Sequence, residues 1–204
     1  MKQIVFATNN QTKGKRFSKG LLQKEIEVLT LKDLNIELDI IEDGKTAIEN
    51  ASIKAKACFN MTNMPSMGMD DSLYLEGVPE EKQPGLYVRR VNGKTLNDEE
   101  MIEHYINLVK LYGNNGKLNC KRIYGLVVID ENGVENSYTW FKDNFYMVDK
   151  ASSKINPGYP LNSISKYKAL DKYFTEIQES DKDLIEYDES DVVDFIAKTL
   201  PKRK

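Results

Sequence analysis

The apolar positions of this chain alternate between short dense runs and helical stripes. Gln3-Ile4-Val5-Phe6-Ala7 is a dense run that ends in the polar Thr8-Asn9-Asn10-Gln11-Thr12, the pattern of a buried strand opening into a loop. Residues from Lys13 to about Leu22 read as a helix, and Glu27-Val28-Leu29-Thr30-Leu31 as a second strand. Strand, loop, helix and strand make a βαβ unit, so an α/β fold is expected.

Further along, Ile48, Ala51, Ala55 and Cys58-Phe59 recur at helical spacing, which predicts a helix from Thr46 to about Met61. Thr46 stands where a cap belongs and Glu49 three residues on, as a capping box requires. Pro65 closes that region, and Met67-Gly68-Met69 leads to Asp70-Asp71, expected at a strand end. Asn97 is placed to cap a third helix through about Leu111, with Met101, Ile102, Tyr105, Ile106 and Val109 as its stripe. Arg122–Ile129 and Val134 to about Val148 are long β-type runs around Asp130-Glu131-Asn132-Gly133, hence a hairpin. Asn156-Pro157-Gly158-Tyr159-Pro160 is a turn-rich loop. Two helices are expected to close the chain, around Tyr167–Ile177 and Val192–Leu200, with the acidic stretch from Gln178 to Asp191 between them. No internal repeat or long linker interrupts the 204 residues, so one domain, with room for two lobes, is expected.

Composition narrows the chemistry. The 29 Lys and Arg against 32 Asp and Glu are well mixed, leaving a net charge of −3 and no broad basic footprint for nucleic acid. No apolar run reaches the roughly 18–20 residues of a membrane helix. With no signal-peptide pattern at the start, Cys58 and Cys120 are expected to be reduced core residues in the cytosol. His104 is the one histidine. That excludes histidine-rich zinc sites and leaves any histidine-dependent triad a single candidate, on a polar helical stretch. An enzyme built on this chain must work with carboxylates, lysines and a metal.

Three segments carry such groups. Thr8-Asn9-Asn10-Gln11-Thr12-Lys13 follows a strand and opens a helix, where backbone N–H groups and a lysine favour an anion. In Glu42-Asp43-Gly44 and the helix that follows, Lys54 stands four residues after Asn50 and so shares its face. Asp70-Asp71-Ser72 sets two carboxylates side by side, which repel unless a cation or separate donors hold them. A Mg²⁺ bound by one or two carboxylates and substrate phosphates is a familiar answer. Singly, each segment also fits a capped turn, a solvated lysine or an acidic turn in water. Order and spacing together distinguish them.

The chain resembles the inosine/xanthosine triphosphate pyrophosphatases, which remove damaged purine nucleotides. Their Thr-x-Asn-x-x-Lys is matched by Thr8, Asn10 and Lys13. Their Glu-x-Gly-x-Thr-x-x-Glu-Asn-Ala-x-x-Lys-Ala runs here from Glu42 to Ala55, and Asp-Asp-Ser with Pro-Gly-x-Tyr-x-x-Arg as Asp70-Asp71-Ser72 and Pro84 to Arg90. The resemblance implies an elongated bilobed α/β fold, a mixed sheet flanked by helices with a central cleft, and a cytoplasmic homodimer. It implies that Thr8, Asn9, Asn10 and Lys13 grip the triphosphate and that Lys54 adds charge. It further implies that Glu42 and Asp71 bind Mg²⁺, that Asp70 supports them, and that Asp71 takes a proton from the attacking water. Ser72, Arg90, Gly158 and Tyr159 would touch substrate. The products would be a nucleoside monophosphate and pyrophosphate, from ITP, dITP or XTP. The second half departs from the family: Gly158-Tyr159 keeps the Gly-Tyr of its Phe-Gly-Tyr-Asp-Pro segment without the aspartate, and no Ser-His-Arg occurs. Lys166-Tyr167 stands in a faint echo of that last segment. A different modified or pyrimidine nucleotide, or nucleotide binding without hydrolysis, are the alternatives.

Overall fold

The computed structural model describes residues 1–8, 14, 16–185 and 188–200. It is an α/β fold in which a mixed sheet is flanked by helices. The chain divides into two compact units, one of Met1–Asp71, Tyr124–Trp140 and Asp188–Lys204, the other of Ser72–Ile123 and Phe141–Tyr187. Among the described residues no helix is long and apolar enough to cross a membrane.

The first unit begins with β1 (Lys2–Phe6), α1 (Ser18–Gln23), β2 (Ile26–Thr30) and α2 (Ala47–Thr62). It also takes parts of β3 (Ser66–Leu75), β6 (Lys117–Ile129) and β7 (Glu135–Val148), and it ends with α4 (Ser190–Thr199). Its strands lie in the order β2-β1-β3-β6-β7. β1 is parallel to both neighbours, from Lys2↔Ile26 to Phe6↔Thr30 and at Val5↔Ser66 and Phe6↔Met67, so the expected βαβ unit is present. β1 is a dense apolar run because both its faces are covered. Ile4 and Phe6 pack with Phe17, Leu21 and Ile196, while Val5 and Ala7 pack with Leu31 and Cys58. Each such fully buried large side chain contributes about 1.5–3 kcal/mol.

Helix α2 begins as its sequence dictates. The Thr46 hydroxyl accepts the Glu49 N–H at 3.3 Å, but the Glu49 carboxylate reaches back to the Lys45 N–H at 2.6 Å instead of to Thr46. Only half of the expected capping box therefore forms. Two glycines let α2 lie directly on the sheet. A Cβ at Gly68 would stand 2.1 Å from the Ala51 carbonyl oxygen, and one at Gly125 2.5 Å from the Ile48 nitrogen. No side chain fits at either contact, so the helix backbone, and Lys54 with it, is brought against β3.

The second unit holds the rest of β3, β6 and β7, with β8 (Ser165–Tyr167) antiparallel to β7. A two-strand hairpin, β4 (Arg90–Val91) and β5 (Lys94–Thr95), turns at Asn92-Gly93 with both φ positive, at 50° and 80°. That is the turn chemistry of a tight two-residue hairpin. Helix α3 (Asp98–Tyr112) follows, with the full capping box of Asn97 and Glu100. Its apolar stripe, Met101, Tyr105, Leu108 and Val109, packs with Leu73, Leu118, Phe145 and Met147. His104 is half-buried on α3, edge-on to Tyr105 at 5.2 Å, and desolvation lowers its pKa.

Two expectations are corrected. Tyr167–Ile177 is not a helix. Lys166 bridges to Tyr173, Asp171 turns with φ of 52°, and only Phe174–Glu176 form a short 3₁₀ turn. The rings of Tyr167 and Phe174 stack at 4.1 Å, so the helix-like spacing of apolar residues serves a folded-back strand. Lys166-Tyr167 lies within β8, paired to Tyr146 and Phe145. Asp70 and Asp71 stand in the middle of β3, not at its end, because Ser72 to Leu75 continue the strand.

Candidate active site

In the first unit the strand order β2-β1-β3 puts successive parallel connections on opposite sides of β1. This is a topological switch point, and in open α/β sheets ligands bind beyond the carboxyl ends of the strands there. β1 stops at Phe6, opposite Met67, and Ala7 makes one more bond, its N–H to the Met67 carbonyl at 2.8 Å. β3 runs on past that point to Asp70 and Asp71. The paired acids therefore occupy the stretch of β3 that β1 no longer flanks.

Alternation along a strand sends neighbouring side chains to opposite faces. Gly68 faces α2, as its contact with Ala51 requires, and Asp70 follows on that face. Met69 packs with Phe6, Phe17 and Leu21 on the other face, and Asp71 alternates with it. The two acids thus flank β3 rather than share one side.

A polar cluster gathers around Asp70. The Lys54 ammonium lies 2.6 Å from Glu42 Oε2 and 3.5 Å from Asp70 Oδ1, with the lysine side chain only 13% exposed. The Asn50 amide donates to Asp70 Oδ2 at 2.9 Å, and its carbonyl accepts the Gly44 N–H at 2.9 Å. The Asp71 N–H donates to Asp70 Oδ1 at 3.0 Å. Helix α2 makes this possible, since Asn50 and Lys54 are one turn apart on the face that Gly68 brings to β3. Asn50, 4% exposed, entered the sequence reading only as the residue whose face Lys54 shares and was given no site role, because its partners stand six and twenty residues away. It ties the loop carrying Glu42 to the strand carrying Asp70.

Of the residues singled out from the sequence, Glu42, Lys54 and Asp70 meet, and Asp71 is adjacent to them on β3. Thr8 is half-buried just beyond β1, its N–H bonded to the Phe6 carbonyl at 2.8 Å. A Cβ at Gly14 would lie 3.8 Å from the Thr8 methyl, so Gly14 stands beside Thr8. Asn9, Asn10 and Lys13 lie outside the described residues. Ser72, Arg90, Gly158 and Tyr159 belong to the second unit. There Ser72 is buried, Arg90 is exposed over the Tyr87 ring at 5.0 Å, and Tyr159 is 37% exposed beside the turn residue Gly158.

The donors of this cluster are carboxylate oxygens, the ligands that a hard cation prefers to histidine or thiol. Among the described residues no three His, Cys, Asp or Glu side chains form a closed metal-binding group. Lys54 beside Glu42 and Asp70 marks a place where positive charge is stabilised. The residues present thus fit a magnesium-type ion that takes one or two protein carboxylates and completes its shell with phosphate oxygens and water.

The chain is similar to known proteins over most of its length. A family model described as the Ham1 family matches residues 4–144. A dITP/XTP pyrophosphatase of Leptospira interrogans serogroup Icterohaemorrhagiae serovar copenhageni is 32% identical over 189 residues, covering 91% of each chain. Among solved structures, a HAM1 protein from Coxiella burnetii superposes with a TM-score of 0.71 at 20% identity, over 98% of each chain. The Staphylococcus aureus Ham1 protein superposes with a TM-score of 0.68 at 24% identity, over 90% of this chain and 91% of its own.

Proposed function

The chain belongs to the Ham1 family, and from that premise we propose that it hydrolyses nucleoside triphosphates between the α- and β-phosphates, releasing a nucleoside monophosphate and pyrophosphate. The observation that carries this reading is the cluster of Glu42, Lys54 and Asp70, braced by Asn50 beside the end of β1. Such a reaction needs little covalent chemistry from the protein; it needs charge neutralisation and an aligned water.

The residues divide that work. Thr8, Asn9, Asn10 and Lys13 hold the triphosphate, and Lys54 adds a fixed positive charge. Glu42 and Asp71, reaching from the two faces of β3 past the point where β1 ends, would hold a magnesium ion, with Asp70 oriented by the Asn50 amide and the Asp71 N–H to support them. When bound, that ion supplies neutralisation of the phosphate charge that builds up on the leaving group. The Asp71 carboxylate accepts the proton of the attacking water. As the new P–O bond forms at the α-phosphorus, the bond to the bridging oxygen breaks and pyrophosphate leaves with its electron pair.

The name carried by the Leptospira relative supports dITP and XTP as substrates. One observation favours a second reading of the base. Tyr159 is followed by a buried proline that opens a 3₁₀ turn, Pro160–Ser163, where the family places an aspartate. A pocket without that carboxylate would discriminate bases differently, since lost polar contacts remove selectivity. The test is incubation with Mg²⁺ and a panel of standard and deaminated triphosphates, measuring pyrophosphate against orthophosphate. Pyrophosphate from ITP, dITP or XTP supports the first reading, and pyrophosphate from another base the second. Orthophosphate alone, or binding without turnover, contradicts hydrolysis at the α-phosphorus. We also infer a cytoplasmic homodimer, which light scattering tests against the 23.4 kDa of one chain.

A further inference from the structure

Two adjacent arginines end the Pro84-to-Arg90 segment, and the structure gives them different work. Arg90 is exposed over Tyr87, whereas Arg89 points into a hydrogen-bonded knot of the second unit. Its Nη1 donates to Asp98 Oδ1 at 2.8 Å and to the Leu96 carbonyl at 3.2 Å. Its Nη2 donates to the Gly158 carbonyl at 3.4 Å. The other oxygen of Asp98, Oδ2, accepts the Gly158 N–H at 2.8 Å. One ion pair thus clasps both the N–H and the carbonyl of a single loop glycine. Sixty residues separate Asp98 from Gly158.

The clasp joins a capped helix start to a turn-forming loop. Asp98 is the first residue of α3, directly after the Asn97 cap with its full capping box. The Tyr105 hydroxyl fixes the arginine's own segment by donating to the Val88 carbonyl at 2.9 Å. Gly158 has φ of 80° in a turn closed by the Tyr159 N–H to Asn156 carbonyl bond at 2.9 Å, and nothing lies within 4 Å of where its Cβ would be. On the far side Pro160 is buried. Tyr159 therefore projects from a turn pinned at both ends. The Asp98 carboxyl is held below the usual carboxylate range, first by the Gly158 N–H and then by Arg89.

We propose that Asp98 is a positioning residue for substrate recognition: with Arg89 it fixes the Gly158 turn and so sets how Tyr159 meets the nucleoside. This rests on the reading of Gly158 and Tyr159 as substrate contacts. Neither Asp98 nor Arg89 touches substrate. Asparagine cannot replace the aspartate, because it has one acceptor oxygen where two donors must be met, and its amide then faces a second donor.

The test uses the full chain and calorimetric titration with the α,β-methylene analogue of inosine triphosphate and with inorganic tripolyphosphate, both with Mg²⁺. Asp98→Asn should weaken the nucleotide analogue about tenfold, the loss of one charge-assisted hydrogen bond. Tripolyphosphate, which has no nucleoside, should bind as to the wild type. Arg89→Lys, which keeps an ion pair but loses the fork to Gly158, should show the same selective loss. The charge swap Arg89→Asp with Asp98→Arg separates positioning from plain stability. It restores opposite charges but leaves no acceptor for the Gly158 N–H, so nucleotide binding should stay weak even where melting temperature recovers. Unchanged nucleotide affinity in Asp98→Asn, or equal loss for tripolyphosphate, would overturn the proposal. So would full recovery of nucleotide affinity by the swap. A wild type that binds the analogue but releases no pyrophosphate from ITP would sink the hydrolysis reading while leaving the positioning result intact. A wild type that binds neither probe sinks both.

Discussion

Asn50→Ala is the most informative single change in the first unit. Asn50 is 4% exposed and makes two hydrogen bonds of 2.9 Å, accepting from the buried Gly44 N–H and donating to the Asp70 carboxylate. Alanine removes both. The Gly44 N–H is then buried without its acceptor, which costs about 1–3 kcal/mol, and the charge-assisted bond to Asp70 is worth about 1.5–3 kcal/mol. Water entering the space left by the amide recovers some of this, so a net loss of about 2–4 kcal/mol is expected. For a chain of this size that lowers the melting temperature by roughly 5–15 °C. Activity should fall further than stability alone predicts. The loop bearing Glu42 loses its tie to β3, and misplacement by about 1 Å can cost roughly a hundredfold in rate. Calorimetry of the folded variant, followed by pyrophosphate release well below its melting temperature, measures the two effects separately. A variant within 1–2 °C of the wild type (about 0.5 kcal/mol) and within about twofold in kcat/KM would refute the bracing role of Asn50.

Gly68→Ala should destabilise strongly, because a Cβ there meets the Ala51 carbonyl oxygen at 2.1 Å, backbone against side chain with no rotamer to yield. A loss above about 3 kcal/mol in denaturant unfolding is expected, at the upper end for overpacking. Asp71→Asn should abolish nearly all pyrophosphate release while leaving circular dichroism and melting unchanged; retained turnover would remove Asp71 from the proton-accepting role. Cys58 and Cys120 are free and buried, and desolvation raises both thiols, Cys120 to about 12. Neither should react with a thiol reagent at pH 8 until denaturant is added, and rapid labelling of the native protein would contradict their burial. The Asp98 carboxyl is depressed by Gly158 and Arg89, so its contribution is present above the unfolded value near 3.8. It is lost as pH falls through the lower folded value. Asp98→Asn should therefore flatten the acid limb of the stability curve below about pH 4, as urea titrations at several pH values would register.

Much of this fold was legible along the chain. β1 and β2 announced themselves as dense apolar runs because parallel strands are covered on both faces, and Thr46 and Asn97 marked the starts of α2 and α3. The 167–177 segment misled because Tyr167, Leu170, Tyr173-Phe174 and Ile177 are spaced as on a helix. Aromatic stacking of Tyr167 on Phe174 and the left-handed turn at Asp171 use that spacing differently. At the site, the acids and Lys54 were identifiable by type and order. Asn50 was not, since a buried helix asparagine has no local signal of the loop and strand it joins. Nor could spacing tell Arg89 from Arg90. The motif selects Arg90, while the hairpin geometry turns Arg89 toward Asp98. Sequence order does not reveal which of two adjacent acids faces a helix; Gly68 two residues earlier settles it for Asp70.

The most direct test of the account is the binding of Mn²⁺, a spectroscopic substitute for magnesium, followed by electron paramagnetic resonance with and without a non-hydrolysable triphosphate. The wild type should bind one ion, more tightly with the nucleotide present. Glu42→Gln and Asp71→Asn should each weaken that binding by at least about tenfold, the loss of one charged ligand. If both variants bind manganese and nucleotide as the wild type does, Glu42 and Asp71 are not the centre of the chemistry.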